Sequence, residues 1–542
     1  MSEPTIGERF FGREEVLELL TKRVSALKDG YRQNVAFTGQ SLAGKTSILH
    51  HFLYTIKDEE YIAIYIEIVK EPFRSFANRF IATLLYNVLS KTGSIVSADM
   101  DALMEKSRIL LPKTHQAIRS INSYIDKGDT EEAYSCLLGL TSIVKEEIKM
   151  PCIVILDEFD NLEWLGVKNP FLNFGRMIMV QKDTMYIVTS SRNQAIKKIL
   201  SEKLSLLFGN FEIVKISGFN PKTADDFINT RLAGYEISGD MRRFMIAFSE
   251  GVPFYLNCLV KSARSIAASR MSNYIDNDVI ARAVLDEIYS SDGAIYRYLL
   301  NFILDLVDTR YRDKDIGILA AIASGKKKQQ EIARSLKAKP SDISKCLTRL
   351  GELGFISKNG IFHKIDDGLL EFWLKHVYQR KKEMLVDDIF NRARLFEEEF
   401  GSYLRNYIDE LNKDVRARMM ELFNLFSNEL VPIDSKYTRL PHFTKVEMRT
   451  SGGSAPFIAA TFRGKSWIIM PYDKWVDEND IIDYMRNVKM SGYKVSNKLV
   501  MPLAGIDENA KLLAKELKIS IWDLSVANML LELYGKKRLV IL

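Results

Sequence analysis

The stretch NVAFTGQSLAGKTSIL, residues 34–49, decides how the rest of the chain is read. Val35, Ala36 and Phe37 predict a short buried strand. Gly39-Gln40-Ser41-Leu42-Ala43-Gly44-Lys45-Thr46 fits G-x-x-x-x-G-K-[ST], and Ser47-Ile48-Leu49 opens an apolar helix. Strand, glycine-rich loop and helix in that order are what a phosphate-binding loop needs. Glycines at both ends let the backbone curl so that its N–H groups face phosphate oxygens. The helix that follows adds unpaired N–H groups and a positive dipole end. In such a loop Lys45 would reach the β- and γ-phosphates of ATP, and the Thr46 hydroxyl would bind Mg²⁺.

Further along, Pro151-Cys152-Ile153-Val154-Ile155-Leu156-Asp157-Glu158 reads as a buried strand with two acids at its carboxyl end. In an open parallel sheet that end faces the ligand crevice. Asp157 can complete the metal shell there, and Glu158 can polarise the water that attacks the γ-phosphate. Tyr61–Val69, Met185–Asn193, which ends in polar groups, and Phe211–Ile216 supply three more strands, so the fold class is α/β with a five-stranded parallel sheet flanked by helices. Thr189, Ser190 or Arg192, at the end of one of these strands, could detect the γ-phosphate; Arg192 is the charged candidate.

Bulk composition sets the remaining bounds. A chain of 542 residues exceeds one hydrophobic core and predicts several domains. With 47% hydrophobic and 27% charged residues it is ordinary globular material. No apolar run approaches the ~20 residues that span a bilayer, and the polar start MSEPTIGERF lacks a secretion signal core. The 4 cysteines are far apart, without a C-x-x-C pair, as expected of thiols in a reducing cytoplasm. The formal charge is +6, and the segment Asp313–Lys364 alone carries 11 Lys/Arg against 5 Asp/Glu. That local surplus points to a polyanion, DNA being the expected partner.

Near the start, Phe10-Phe11-Gly12-Arg13-Glu14-Glu15 is either a helix cap or a segment that packs over a nucleotide base. Residues 73–149 read as helical, with no chemical signal in their inner part. From Asn220 to about Asn301 the pattern is helical again; Gly251-Val252-Pro253 interrupts it and could touch the base if the bundle closes on it. Residues 315–365 predict three helices and a hairpin around Asn359-Gly360, a winged helix-turn-helix. Lys326, Lys327, Lys328, Lys337, Lys339 and Lys358 favour phosphate contact over base reading. A charged linking helix runs to about Arg394. Beyond it a helix striped by Phe396, Phe400, Leu404, Tyr407 and Leu411 leads to alternating strands and helices, a last α/β layer.

The matching residues Gly12-Arg13-Glu14, Gly39–Thr46, Asp157-Glu158, Ser191-Arg192 and Gly251-Val252-Pro253, in that order, make residues 8 to 380 similar to the archaeal-type AAA+ and STAND ATPases. The resemblance implies a switch between ATP- and ADP-bound packings, with Arg13 and Pro253 touching the nucleotide and Arg192 sensing its γ-phosphate. The final domain resembles the restriction-endonuclease-like fold. Where that fold carries E-x-K, this chain has Pro471-Tyr472-Asp473-Lys474, and an adjacent acid and Lys cannot share a strand face. With Glu447 on the first strand, it reads as a degenerate binding or assembly module.

The expected domains are a P-loop core over 1–218, a helical lid over 219–304, a winged helix over 305–380, and a linker helix with the α/β domain over 381–542. Catalysis is expected from Lys45, Asp157, Glu158 and Arg192. Nucleotide contacts are expected from Arg13, Gly39, Gln40, Ser41, Leu42, Ala43, Gly44, Lys45, Thr46, Ser47 and Pro253, and metal contacts from Thr46 and Asp157. The whole reads as a cytoplasmic, slowly hydrolysing ATPase switch, compatible with a nucleotide-dependent homo-oligomer or protein partner and with no membrane. Rival readings are an origin-recognition-like initiator, an ATP-locked scaffold and an ATP-gated nuclease.

Overall fold

The computed structural model describes residues 4–56, 60–91, 97–204, 210–306, 310–383, 389–433, 436–450 and 456–541. The chain divides into two compact units. One holds Met1–Gly218 with Glu352–Gly354; the other holds Phe219–Gly351 and Phe355–Leu542.

The first unit is built on five parallel strands, β1 (Asn34–Thr38), β2 (Ile62–Glu67), β3 (Cys152–Asp157), β4 (Thr184–Ser190) and β5 (Phe211–Lys215). Their spatial order is β2-β3-β4-β1-β5. β1, β3 and β4 are buried along their whole length, which is why they read as continuous apolar runs rather than alternating ones. Cores lie on both faces. One gathers Ile62, Ile64 and Ile66 with Phe73, Phe76 and Phe80 of the helix Phe73–Lys91. The other packs Val35, Phe37, Ile153 and Ile155 against Leu20, Ile48 and Phe52. The carboxyl ends of β1, β3 and β4 lie side by side, with Phe37 opposite Thr189 and Leu156 opposite Val188.

The second unit begins with helices Pro221–Arg231, Gly239–Ser249, Pro253–Ser269, Asn277–Val284 and Ala294–Leu306. Two short strands, β6 (Glu236–Ile237) and β7 (Tyr274–Ile275), pair in parallel among them. Then come helices Arg312–Ala323, Gln329–Ser335 and Pro340–Glu352 and the antiparallel hairpin β8 (Ile356–Asn359) and β9 (Phe362–Ile365). The hairpin loop is Gly360-Ile361, one residue later than the sequence suggests, because Asn359 pairs with Phe362. Gly360 takes φ +64°, at the first loop position where such turns favour glycine. The linking helix continues through Gly368–Trp373, Leu374–Tyr378 and Gln379–Glu383; residues 384–388 fall outside the described part.

The long helix Ile389–Asn412 lays Phe400 and Tyr407 against Phe244 of the helical bundle, at ring separations of 6.2 and 5.2 Å. The aromatic stripe seen in the sequence is therefore core. The hairpin β10 (Glu429–Ile433) and β11 (Lys436–Leu440), which the sequence reading misses, comes next. Pro432 hides β10 from propensity; such a residue sits on two-stranded edges. The final sheet has the order β12 (Lys445–Arg449), β13 (Phe457–Phe462), β14 (Lys465–Tyr472), β15 (Val495–Pro502) and β16 (Ser520–Ile521). Its first three strands are antiparallel and its last three parallel. Among the described residues no helix is long and apolar enough to cross a membrane.

Candidate nucleotide site

The loop after β1 is shaped by backbone constraint. A Cβ on Gly39 would lie 1.9 Å from the Ile216 carbonyl oxygen, so only glycine allows the chain to pass there. Gly44 takes φ +96° and turns the loop into the helix Lys45–Thr55. Gln40, Ser41, Leu42 and Ala43 form the arch between them, and Ser47 lies in the first helical turn, its Oγ accepting from Thr5 N at 3.2 Å.

Lys45 is only 4% exposed. Its Nζ donates to Gly39 O at 2.9 Å, Gln40 O at 3.0 Å and Ser191 Oγ at 3.0 Å. Burial lowers its pKa, and the carboxylates of Glu158, Asp157 and Asp160 pull it back up. Ser191 passes the contact on, its Oγ donating to Glu158 Oε1 at 2.6 Å and its N–H to Oε2 at 3.3 Å. A continuous chain Lys45–Ser191–Glu158 thus joins the loop to the acid pair. Glu158 sits in the left-handed region at φ +52°, and burial raises its pKa above the usual carboxylate value.

Asp157 is nearly inaccessible at 2% exposure and accepts from four directions. Thr46 Oγ1 and Tyr65 OH each donate to Oδ2 at 2.7 Å. Thr189 Oγ1 and Glu158 N donate to Oδ1, the latter at 3.2 Å. All four donors are neutral, so the carboxylate keeps its charge free for a cation. Thr46 and Asp157 are adjacent hard oxygen donors, a set that suits Mg²⁺, which needs few protein ligands beside water and phosphate oxygens.

Two further candidates, Arg192 and Arg13, lie in the same unit as this centre. Arg192 Nε pairs with the buried Asp160 carboxylate, and its Nη2 donates to Asn161 Oδ1 at 2.8 Å. Arg13, in the left-handed region at φ +73°, donates to Ala43 O at 3.1 Å and to Ser217 O, bracing the loop from outside. Its burial pushes its pKa down to about 10. Pro253 belongs to the second unit and opens the helix Pro253–Ser269. Just before it, Gly251 packs on Phe219, whose carbonyl oxygen a Cβ would approach to 2.3 Å.

Tyr65 was not legible as a site residue, and Ser191 appears in the sequence only as part of a two-residue match. Tyr65 reaches Asp157 because β2 lies beside β3, a fact of sheet order and not of local pattern. His50 stacks obliquely on the Tyr65 ring at 4.3 Å; burial lowers its pKa against the pull of Asp157.

In the last domain, the faces of β13 and β14 that would carry a nuclease centre present Ala459, Ile468 and Met470, all buried. Glu447 is held by Lys445 at 3.1 Å, Arg449 at 2.7 Å and the Tyr493 hydroxyl at 3.1 Å, and Lys474 pairs with Asp480 at 2.7 Å. Among the described residues, Glu447 and Lys474 are therefore each held in separate ion pairs and not gathered into the one centre that the ATP-gated nuclease reading expects. Of the lysines expected to meet phosphate, Lys327 is buried and the partly exposed Lys328 is already paired. Lys327 lies 3.6 Å from Glu371, and Lys328 pairs with Glu429 at 3.2 Å.

Strand order, the loop at the end of β1 and the acidic pair at the end of β3 define an α/β P-loop ATPase fold. No family model matches the sequence, and no characterised protein matches it in sequence. Among solved structures the chain is similar to a Walker-type ATPase of Pyrococcus abyssi, at 17% identity over 69% of this chain and 98% of that one, with a TM-score of 0.48. It is also similar to the ORC2 protein of Aeropyrum pernix in its ADPNP–ADP complexes, at 12% identity over 71% and 98% of the two chains, TM-score 0.43. The ORC1 protein of the same organism, solved in complex with DNA, is similar at 14% identity over 70% and 96%, TM-score 0.38. At such identities and TM-scores the likeness carries nothing about function.

Proposed function

We propose that this chain is a cytoplasmic molecular switch that binds ATP with Mg²⁺, hydrolyses it slowly, and couples nucleotide state to DNA binding or assembly in a regulatory or defence role. The observation that carries the reading is the chain Lys45–Ser191–Glu158 beside the pair Thr46–Asp157, which gathers a phosphate ligand, a metal set and a base at one strand end. Lys45 and the loop amides hold the phosphates, Thr46 and Asp157 hold the metal, and Glu158 orients water and takes its proton. Bound Mg²⁺ would supply charge neutralisation to the phosphate oxygens. Phosphate entering at Lys45 competes with Ser191 for the ammonium group, which loosens Glu158 for the attacking water. Arg192 acts as sensor once it exchanges Asp160 for the γ-phosphate, and Arg13 contacts the nucleotide.

The test is binding of a fluorescent ATP analogue, ATP turnover and DNA retention with ADP and with a slowly hydrolysed ATP analogue. Lys45→Ala is expected to weaken nucleotide binding by about a hundredfold or more, since it removes a charged partner worth about 3 kcal/mol, and to remove the nucleotide dependence of DNA retention. Steady turnover in the hundreds per second, high in the usual range of about 1–10³ s⁻¹, would refute a switch.

Tyr65→Phe addresses the metal set. The Tyr65 hydroxyl competes with a cation for Asp157 Oδ2, and one such bond is worth about 1 kcal/mol net. The magnesium concentration that half-saturates ATP binding is therefore expected to fall by about fivefold. An unchanged requirement would show that Tyr65 only packs.

A further inference from the structure

Away from the nucleotide site, positive charge collects at one corner of the last sheet. From Lys436 to Lys465 the sequence carries six Lys and Arg and a single acid, Glu447. Strand pairing places them. On β12, the outer strand, Lys445, Glu447 and Arg449 share one face, opposite Thr461, Ala459 and Phe457 of β13. β13 returns into β14 through Arg463-Gly464, both at positive φ (48° and 70°), a tight two-residue hairpin. Ser466 N donates to Lys494 O at 2.9 Å, which brings Lys494 to the same end of the sheet.

Lys445, Arg463, Lys465 and Lys494 thus reach one corner from three separate segments. With strands about 4.8 Å apart, Lys445 and Ser466 are about 10 Å from each other, and Arg449 extends the row about 14 Å along the edge. All five cations are exposed. Glu447 offsets one charge only, being shared between Lys445 and Arg449. Between the cations stand hydroxyls. Thr461 Oγ1 and Ser466 Oγ lie 2.9 Å apart, and Thr444 Oγ1 donates to Thr461 O at 3.0 Å.

We propose that this corner, the outer edge of β12 together with the β13–β14 turn, binds the sugar-phosphate backbone of duplex nucleic acid. A small anion calls for donors that converge in a buried site, whereas these cations are strung along an exposed edge, as successive phosphates of a polyanion require. An acidic membrane would need several apolar side chains to bury among the basic ones; along β12, β13 and β14 Met448 is the one large apolar side chain exposed among the described residues, and hydroxyls stand between the cations. The choice of a duplex over other polyanions rests on the DNA-linked reading above. The surface itself does not, since it is separate from the helix Pro340–Glu352 expected to meet DNA.

The experiment is retention of a short labelled duplex by the full chain across a salt series, with ATP binding measured in the same samples. The triple variant Lys445→Gln/Arg463→Gln/Lys465→Gln is expected to bind at least about tenfold more weakly, with a log–log salt slope shallower by about 2–3, at unchanged ATP binding. Lys339→Gln/Lys345→Gln tests the helix in parallel. Loss confined to the sheet variant supports the proposal and removes the helix from the DNA reading. Loss confined to the helix variant overturns the proposal and leaves the switch reading intact. Absence of duplex binding by the unaltered chain in every nucleotide state, or preference for phosphatidylserine vesicles, also overturns it. All of these positions are exposed, so a matching unfolding midpoint shows that folding is not what changed.

Discussion

Glu158→Gln is expected to lower ATP turnover by about 10²–10⁴-fold while ATP still binds, the range for removing a positioned general base. The substitution keeps shape. Gln can still accept the Ser191 hydroxyl that donates to Glu158 Oε1 at 2.6 Å, but it cannot take a proton from water. The pH dependence separates this role from a structural one. Glu158 is raised above its ordinary value chiefly by burial, with Lys45 and the Ser191 hydrogen bond pulling it down. The base works ionised, so turnover should climb as pH rises through a value above the ordinary 4.5. That acid limb should vanish in Glu158→Gln. Ser191→Ala removes one of the groups that lower Glu158, so it should move the limb to higher pH. A limb that stays in place in Ser191→Ala would break the link between them. A scaffold that uses ATP only as a lock would keep its assembly in Glu158→Gln and show no limb at all.

The centre of this site was open to reading because its signals are local. Three buried residues, an eight-residue loop and a helix start sit in one run from Val35 to Leu49, and Asp157-Glu158 follows directly on an apolar strand. Fold class follows from the same signals, since continuous apolar strands between helices demand a sheet covered on both faces. What stayed hidden depends on partners distant in sequence. Tyr65 is 92 residues from Asp157, and nothing around it marks a donor. Arg192 looks like a free charge beside the phosphates, yet Asp160 holds it, an acid that reads as part of a polar turn. The basic run Lys326-Lys327-Lys328 looks like a solvated patch because its acids, Glu371 and Glu429, come from elements far downstream.

Those hidden partners carry the second large effect. Lys364→Met is expected to destabilise the second unit by about 3 kcal/mol, the lower end of the cost of breaking a buried ion pair. Lys364 on β9 pairs with Glu532, the two side chains being 16% and 12% exposed. Arg538 Nε reaches the same carboxylate at 2.6 Å and its Nη1 reaches Glu250 at 3.3 Å; Lys327 donates to Glu532 O at 2.5 Å and lies by Glu371. Three acids and three bases close the network. Arg538 still faces Glu532 after the substitution, which keeps the cost near the lower bound. Lys364→Met/Glu532→Gln, which discharges both sides, should recover about 2 kcal/mol of it. Urea unfolding followed by tryptophan fluorescence reads the change, because Trp467 and Trp522 lie in the core that Phe362 of β9 also enters. Acid offers a second check. Burial would raise the Glu532 carboxyl, but Lys364 and Arg538 outweigh it and hold it below its ordinary value. Its contribution is present above the unfolded carboxylate value and is lost as pH falls through the folded one, a loss the double variant should not show. A single variant as stable as the unaltered chain would mean that the hairpin is not anchored by charge. If it is anchored, then Phe362 against Tyr534 at 5.4 Å, and Gly360 so close to Leu430 that a Cβ would stand 1.8 Å from its carbonyl oxygen, fix β8–β9 onto the last domain. A hairpin held this way cannot reach along a nucleic-acid groove. Any contact this module makes then falls to the helix Pro340–Glu352, whose exposed side carries Ser341, Ser344, Lys345 and Thr348.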